Sequence, residues 1–387
     1  MRCVVLLALI ALFAAPVRAE PVLARDAETR WVAVERTTGN QIRFTMRING
    51  RPANALLDTG VSFTVASKRF AASAGLKPAS GARAQAIGGT VTVAWAVVET
   101  LEFGGLSRKG GRIAVTDFAG LPTGGASPID LLVGADLLHH VALDIDYDEG
   151  RFRLLPSGRM PFGGISVPLS LARDSGIYLS ELTIGARRVR PVIVDTGDGS
   201  SATVTSTSWN AARPEGARVT TTLSYGLGGQ VVADLTILPQ LRIGALPVRN
   251  VELRIERDAG FAQATGTAGR IGSGLLERYR VLMDPRAGRM ILQPGKRIDA
   301  RPVKSTSGIL AGFQSGELAV LHVMRGSPAA AAGWQVGERI CRIDGQPLPA
   351  DYLASPLAGW AIGAPGRTVT LELCGGDKRQ LTLADFY

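Results

Sequence analysis

The chain is short of the side chains that most often carry out chemistry. Its 387 residues include three histidines and three cysteines, and aromatic residues make up 6%. A Ser-His-Asp site needs a histidine, and only His139, His140 and His322 are available. None accompanies a Gly-x-Ser-x-Gly elbow; Gly272-Ser273-Gly274 falls inside a recurring apolar-Gly segment. His139-His140 lack the spaced carboxylate or cysteine partners of a metal site. Serine-hydrolase and metal chemistry are therefore poor readings, and no metal or cofactor is expected. Cys3 lies at the extreme N-terminus, leaving Cys341 and Cys374 as a pair that an oxidising compartment would allow to join. The alternation of Val369, Leu371 and Leu373 turns Cys374 outward, which argues against that disulfide and leaves its state open.

Long apolar runs are missing beyond the N-terminus. Arg2, the apolar stretch Val4 to Ala15 and Val17-Arg18-Ala19 read as a secretory signal peptide over residues 1–19. That stretch is short for a membrane span, so a secreted or periplasmic protein without a stable membrane anchor is expected. Cleavage removes Arg2 and Arg18, and the net charge falls by two from +10 to +8. The arginines are scattered, without the dense basic tract interleaved with aromatics that nucleic-acid binding calls for. A basic surface facing an anionic envelope explains the charge.

What the chain has is repetition. Residues 139–156 and 277–294 both read as strand, acidic turn, Gly-Arg, strand, with Asp146 and Asp284 standing 138 apart. Gly134 and Gly272 close matching apolar segments at the same offset, and Ile87-Gly88-Gly89 matches Leu227-Gly228-Gly229 at 140. Asp58-Thr59-Gly60 returns as Asp195-Thr196-Gly197 after 137. Four collinear matches imply a duplicated unit. Each copy alternates apolar and polar residues at period two between Gly-rich turns. The expected fold is mainly β: two related β-barrel lobes (20–160 and 161–296), each with one short helix (67–76 and near 206–212). From residue 301 to 387 the pattern changes to a smaller α/β module, with helices expected after Ser327 and over 351–362 and a strand pair around Gly375-Gly376.

Asp-Thr-Gly alone is weak, since Asp and Gly favour turns and Thr bonds locally. Here, however, each Asp follows an apolar strand and precedes another β run. An acid at the end of a buried strand is costly unless it is bonded or used. Two such loops would bring two carboxyls together, which share one proton because both cannot easily ionise. Such a pair can hold a water, one carboxylate drawing its proton while the other protonates the carbonyl oxygen or leaving amine.

With these paired motifs, residues 28–296 resemble the retropepsin/pepsin clan of aspartic proteases, as a single-chain fused dimer that needs no second copy. The resemblance implies that Asp58 and Asp195 are catalytic, with Thr59, Gly60, Thr196 and Gly197 holding the loops. It implies that Gly88-Gly89 and Gly228-Gly229 form flaps over a peptide or protein substrate, and that Gly134 and Gly272 pack behind the loops. Tyr225 stands just before the second flap, where it would face substrate or pack on its own sheet. The clan usually has Ser or Ala after the triplet; this chain has Val61 and Asp198. Asp198 reads best as a turn residue beside Gly199 and Ser200, the alternatives being a third acid that raises the dyad's pKa, a side chain that points to solvent, or a partner for an arginine. Residues 326–345 give the C-terminal module a resemblance to bacterial PDZ domains, which add a peptide or partner C-terminus to a sheet edge; by that resemblance the ligand strand lies near Gly308, Ile309 and Leu310. The rival to an exported endopeptidase is an inactive relative that only binds peptides.

Overall fold

The computed structural model describes residues 20–118 and 128–387 and is mainly β. The expected signal peptide, residues 1–19, lies outside the described residues. The larger part of the chain forms two sheets with the same internal order. In the first, the hairpin Ile42–Ile48/Arg51–Leu57 feeds the Asp58 loop. Arg51–Leu57 then runs parallel to Leu131–Val133, which pairs antiparallel with Val65–Ser67; that strand in turn runs parallel to Arg112–Thr116. The long hairpin Ala79–Ala86/Gly89–Val97 ends the path.

The second sheet repeats this sequence of pairings. Tyr178–Ile184 and Arg187–Asp195 form the hairpin, and Arg187–Asp195 runs parallel to Gly269–Gly272. Gly269–Gly272 pairs antiparallel with Ala202–Thr205, which runs parallel to Leu246–Glu256. The hairpin Thr220–Gly226/Gly229–Ile243 follows. Tyr178–Ile184 also pairs with the far end of Gly229–Ile243, so the sheet returns on itself. Both expected helices form: Lys68–Ser73 and Ser206–Ala212, capped by the hydroxyls of Ser67 and Thr205, which accept from Phe70 N–H and Ser208 N–H.

The segments that match across the repeat pair with each other. Ala142–Asp146 and Tyr279–Asp284 lie antiparallel, Leu143 opposite Met283 and Ile145 opposite Val281, at the middle of a six-stranded sheet drawn from both halves. Alternate side chains enter one continuous apolar core that includes Leu57, Val133, Leu143, Val194, Ile271 and Met283. On the other face, fully buried Asp144 accepts hydrogen bonds from Arg153 Nε of its own hairpin (2.9 Å) and Arg280 Nη2 of the other half (2.9 Å). Both guanidiniums also stack over Trp31.

In the C-terminal module, strands Ile309–Gln314, Glu317–Val323, Arg339–Ile343, Thr368–Leu373 and Lys378–Thr382 follow one another across a sheet, and Ile309–Gln314 is an edge. The helix after Ser327 forms as Pro328–Ala331, capped by that serine. The single helix expected over 351–362 is instead two 3-10 turns, Tyr352–Ala354 and Pro356–Ile362, because Pro356 holds Ser355 in an extended conformation. Cys341 and Cys374 are joined by a disulfide. Cys374 does face outward, as its strand alternation requires. A register shift between Ile340 and Arg342 turns Cys341 to meet it, and no alternation rule anticipates that bulge. The module grips the second long hairpin: Thr221 Oγ1 meets His322 Nε2 at 2.8 Å and accepts from Arg325 N–H, while Arg325 pairs with Asp234 at 3.2 Å.

Removing one partner of a buried ion pair leaves the other charges stranded, at a cost of about 3 kcal/mol or more. Asp144→Ala is expected to lower the unfolding free energy by about that amount, read as a shift of the urea midpoint.

Candidate active site

The two Asp-Thr-Gly loops emerge side by side from the ends of buried strands. Asp58 follows Arg51–Leu57 and donates its N–H to Val133 O at 3.0 Å; Asp195 ends its strand opposite Gly272. The threonines, both fully buried, lock one loop to the other. Thr59 Oγ1 donates to Val194 O (2.6 Å) and accepts from Thr196 N–H (3.1 Å). Thr196 Oγ1 donates to Leu57 O (2.8 Å) and accepts from Thr59 N–H (3.1 Å). Each hydroxyl thus satisfies a carbonyl and an amide that would otherwise be buried without partners, at about 1–3 kcal/mol apiece.

The glycines allow the close approach. A side chain at Gly60 would overlap the Asp195 carboxyl, and one at Gly197 would overlap that of Asp58. Each carboxyl thus sits against the opposite loop's glycine, close enough for the two acids to act on each other's ionisation. Gly60 N–H donates to Asp58 Oδ1 (3.0 Å), and the N–H groups of Gly197 and Asp198 donate to Asp195 Oδ1 (2.9 and 3.0 Å). Behind the loops, Gly134 N–H donates to Thr64 Oγ1 and Gly272 N–H to Ser201 O.

Burial, reinforced by the facing Asp195 charge, pushes Asp58 well above the usual carboxylate range. Burial and then the Asp198 charge push Asp195 up to about 6, against the pull of the Arg270 guanidinium. The pair therefore holds both protons below about pH 6 and shares a single one above it.

Asp198 is both a turn residue and an ion-pair partner. Its Oδ1 accepts from Ser200 N–H (2.9 Å), and its Oδ2 accepts from Arg270 Nε (3.0 Å). Burial acts upward on Asp198, but the Arg270 and Arg254 charges outweigh it and hold the group below the usual carboxylate value. It stays ionised beside the dyad and raises Asp195 without joining the pair. Arg270 reaches on to Glu256 (3.3 Å), whose carboxylate also accepts from Phe261 and Ala262 N–H.

Above the loops the tips of the two long hairpins meet. Gly228 N–H donates to Ile87 O at 2.9 Å, and a side chain at Gly88 would run into the Gly229 backbone. Gly88, Gly89 and Gly229 all have positive φ, as tight hairpin tips require. Beneath the tips lies a cavity of about 910 Å³ lined by both aspartates, Gln85, Ile87, Tyr225 and Leu227. Tyr225 is 38% exposed on the cavity wall. Gly308, Ile309 and Leu310 lie away from this site, at the start of the C-terminal edge strand. There the N–H groups of Gly308 and Ile309 donate to the hydroxyls of Ser305 and Ser307.

Two groups of neighbours escaped the sequence reading. Arg270 could have been found, since an arginine inside an otherwise apolar buried strand matching Leu131–Val133 asks for an acid, and Asp198 is the unexplained one. Asn40 and Gln41 could not: their amides donate to Gly199 O and Gly197 O (both 3.2 Å) from a loop remote in sequence.

A family model described as aspartyl protease matches residues 44–137, which hold the first Asp-Thr-Gly loop and the first long hairpin. The match supports an aspartyl protease of the pepsin/retropepsin kind. No curated protein matches the chain.

The raised dyad fixes the sign of a pH effect. A carboxyl with a raised folded pKa stabilises the fold fully below its unfolded value, and that contribution is lost as pH rises through the folded value. Thermal midpoints are expected to fall between pH 5 and 8, with Asp58→Asn flattening that slope and melting higher than the parent at pH 8. In Asp198→Asn, loss of a neighbouring negative charge lowers the Asp195 pKa, read by carboxyl ¹³C titration.

Proposed function

We propose that the chain is an exported aspartic endopeptidase that hydrolyses peptide bonds with an Asp58/Asp195 dyad and a bound water. The observation that carries this reading is the mutual locking of the two loops by Thr59 and Thr196, which presents two buried, proton-sharing carboxyls to a roofed cavity. Asp195, the more readily ionised, accepts a proton from water as its oxygen bonds to the peptide carbonyl carbon. Asp58 donates its proton to the carbonyl oxygen. Collapse of the tetrahedral diol breaks the C–N bond, with Asp195 returning the proton to the amine and Asp58 regaining one from a hydroxyl. The hairpins bearing Gly88-Gly89 and Gly228-Gly229 act as flaps that must part for substrate entry and exclude water once closed.

On this reading residues 20–160 and 161–296 are two fused barrel lobes, and 301–387 is a PDZ-like domain. Its edge strand Ile309–Gln314 would accept a peptide or a partner's C-terminus by strand addition. The Cys341–Cys374 disulfide supports a secreted or periplasmic location reached through a signal peptide over 1–19.

Purified protein is expected to cleave members of a peptide library above about pH 6, where the pair holds a single proton. Either Asp58→Asn or Asp195→Asn should lower kcat by about a thousandfold or more, and a statine-type inhibitor should block turnover. Cleavage that survives either substitution would sink the mechanism; binding without cleavage in the parent would favour the inactive peptide-binding relative.

A further inference from the structure

The two walls of the cavity hold equivalent places in their sheets but have opposite chemistry. In the first half Val65 pairs with Leu132 on one side and Ala114 on the other. In the second half the residue at that register position is Thr203, which pairs with Arg270 and Arg254. Val61, after the first triplet, corresponds to Asp198 after the second. Val65, Leu132 and Ala114 form an apolar cluster that Val61 and Trp95 pack against. Thr203, Arg254, Arg270 and Asp198 line the same cavity from the other side.

Most of the charge on the polar wall is already spent. Arg270 is shared between Asp198 and Glu256, and Glu256 also takes two backbone N–H groups. Three residues that line this wall keep unused hydrogen-bonding capacity. Among the described residues Arg254 has one ion-pair partner, its Nε reaching Glu252 at 3.3 Å, and its charge also acts on Asp198; its Nη nitrogens have no hydrogen-bond acceptor among those residues. Thr203 Oγ1 and Ser200 Oγ are buried and lack a hydrogen-bond partner among the described residues, in residues 2% and 5% exposed. A buried hydroxyl without a partner calls for one, from an ordered water or from a group that enters the cavity. A guanidinium fork with a hydroxyl on the residue paired beside it, as Thr203 is beside Arg254, is a donor set for a planar carboxylate.

We infer that the cleft reads a peptide with unlike residues flanking the cut: a large apolar side chain against Val65, Leu132 and Trp95, and a carboxylate side chain against Arg254, Thr203 and Ser200. Arg254 and Thr203 are specificity-determining residues. The acid is kept off the apolar wall because burying a charge there is prohibitive. Near the second wall, the two negative charges of Asp198 and Glu256 are offset by the two positive charges of Arg270 and Arg254 together.

This inference rests on the proteolytic reading of the cleft, so its test has one arm with turnover and one without. Four peptides would be compared that differ only at the two residues flanking the cut: Phe–Phe, Phe–Glu, Glu–Phe and Glu–Glu. One of the two mixed orders is expected to exceed Phe–Phe in kcat/KM by about tenfold or more. Arg254→Leu and Thr203→Val should each shrink that ratio, and Arg254→Lys should retain part of it, with thermal melting confirming that the variants fold. In the second arm, fluorescence anisotropy ranks the same peptides for binding to Asp58→Asn. A matching rank there upholds the inference even if the parent cleaves nothing. Preference for Phe–Phe in both arms, no binding of any peptide, or a ratio unmoved by Arg254→Leu overturns it.

Discussion

The crossed hydrogen bonds of Thr59 and Thr196 are the constraint on which the rest of the molecule depends. Two acids at the ends of apolar strands would be driven apart by charge and outward by solvation. The threonines prevent both by tying each loop to the strand that feeds the other. Everything nearby conforms to that tie. Residues 60 and 197 must be glycine because the opposite carboxyl fills the space where a side chain would go. The apolar core beneath must be continuous, because the two loops cannot stay in register unless the strands carrying them do. The six-stranded sheet that joins the halves through Ala142–Asp146 and Tyr279–Asp284 supplies that rigidity at long range.

Much of this was legible in the sequence, for identifiable reasons. Period-two patterning and the recurring 138-residue offset revealed the duplicated sheets, because burial of one face per strand imposes alternation and duplication preserves it. Asp58, Asp195 and their threonines and glycines were readable because a costly acid on a buried strand demands explanation, and the structure brings all six together. What escaped depends on contacts without a local imprint. The Asn40 and Gln41 amides cap the second loop from a turn whose sequence looks like any strand entry. The bulge that lets Cys341 meet Cys374 changes register by one residue, which alternation cannot signal. Asp198 was visible as an anomaly, but its partner Arg270 lies 72 residues away and becomes its partner only through strand pairing.

The second half is therefore not a degraded copy of the first. Val61, Val65, Leu132 and Ala114 give way to Asp198, Thr203, Arg270 and Arg254 as a set. Such a set is consistent only as a whole, since an arginine or an acid alone at these depths would be an uncompensated buried charge. The exchange also bears on the dyad's electrostatics: beyond burial, ionised Asp198 raises Asp195 and Arg270 pulls it back.

Carrying both halves on one chain removes a restriction that a pair of identical subunits cannot escape. In a symmetric pair every substitution appears twice, so the site is a palindrome and cannot tell a ligand from its reverse. Here the two walls descend from one pattern but are written separately, and the cleft acquires a direction. On the proposed reading, a peptide laid across it has a right way round, set by where an alanine stands in one half and an arginine in the other.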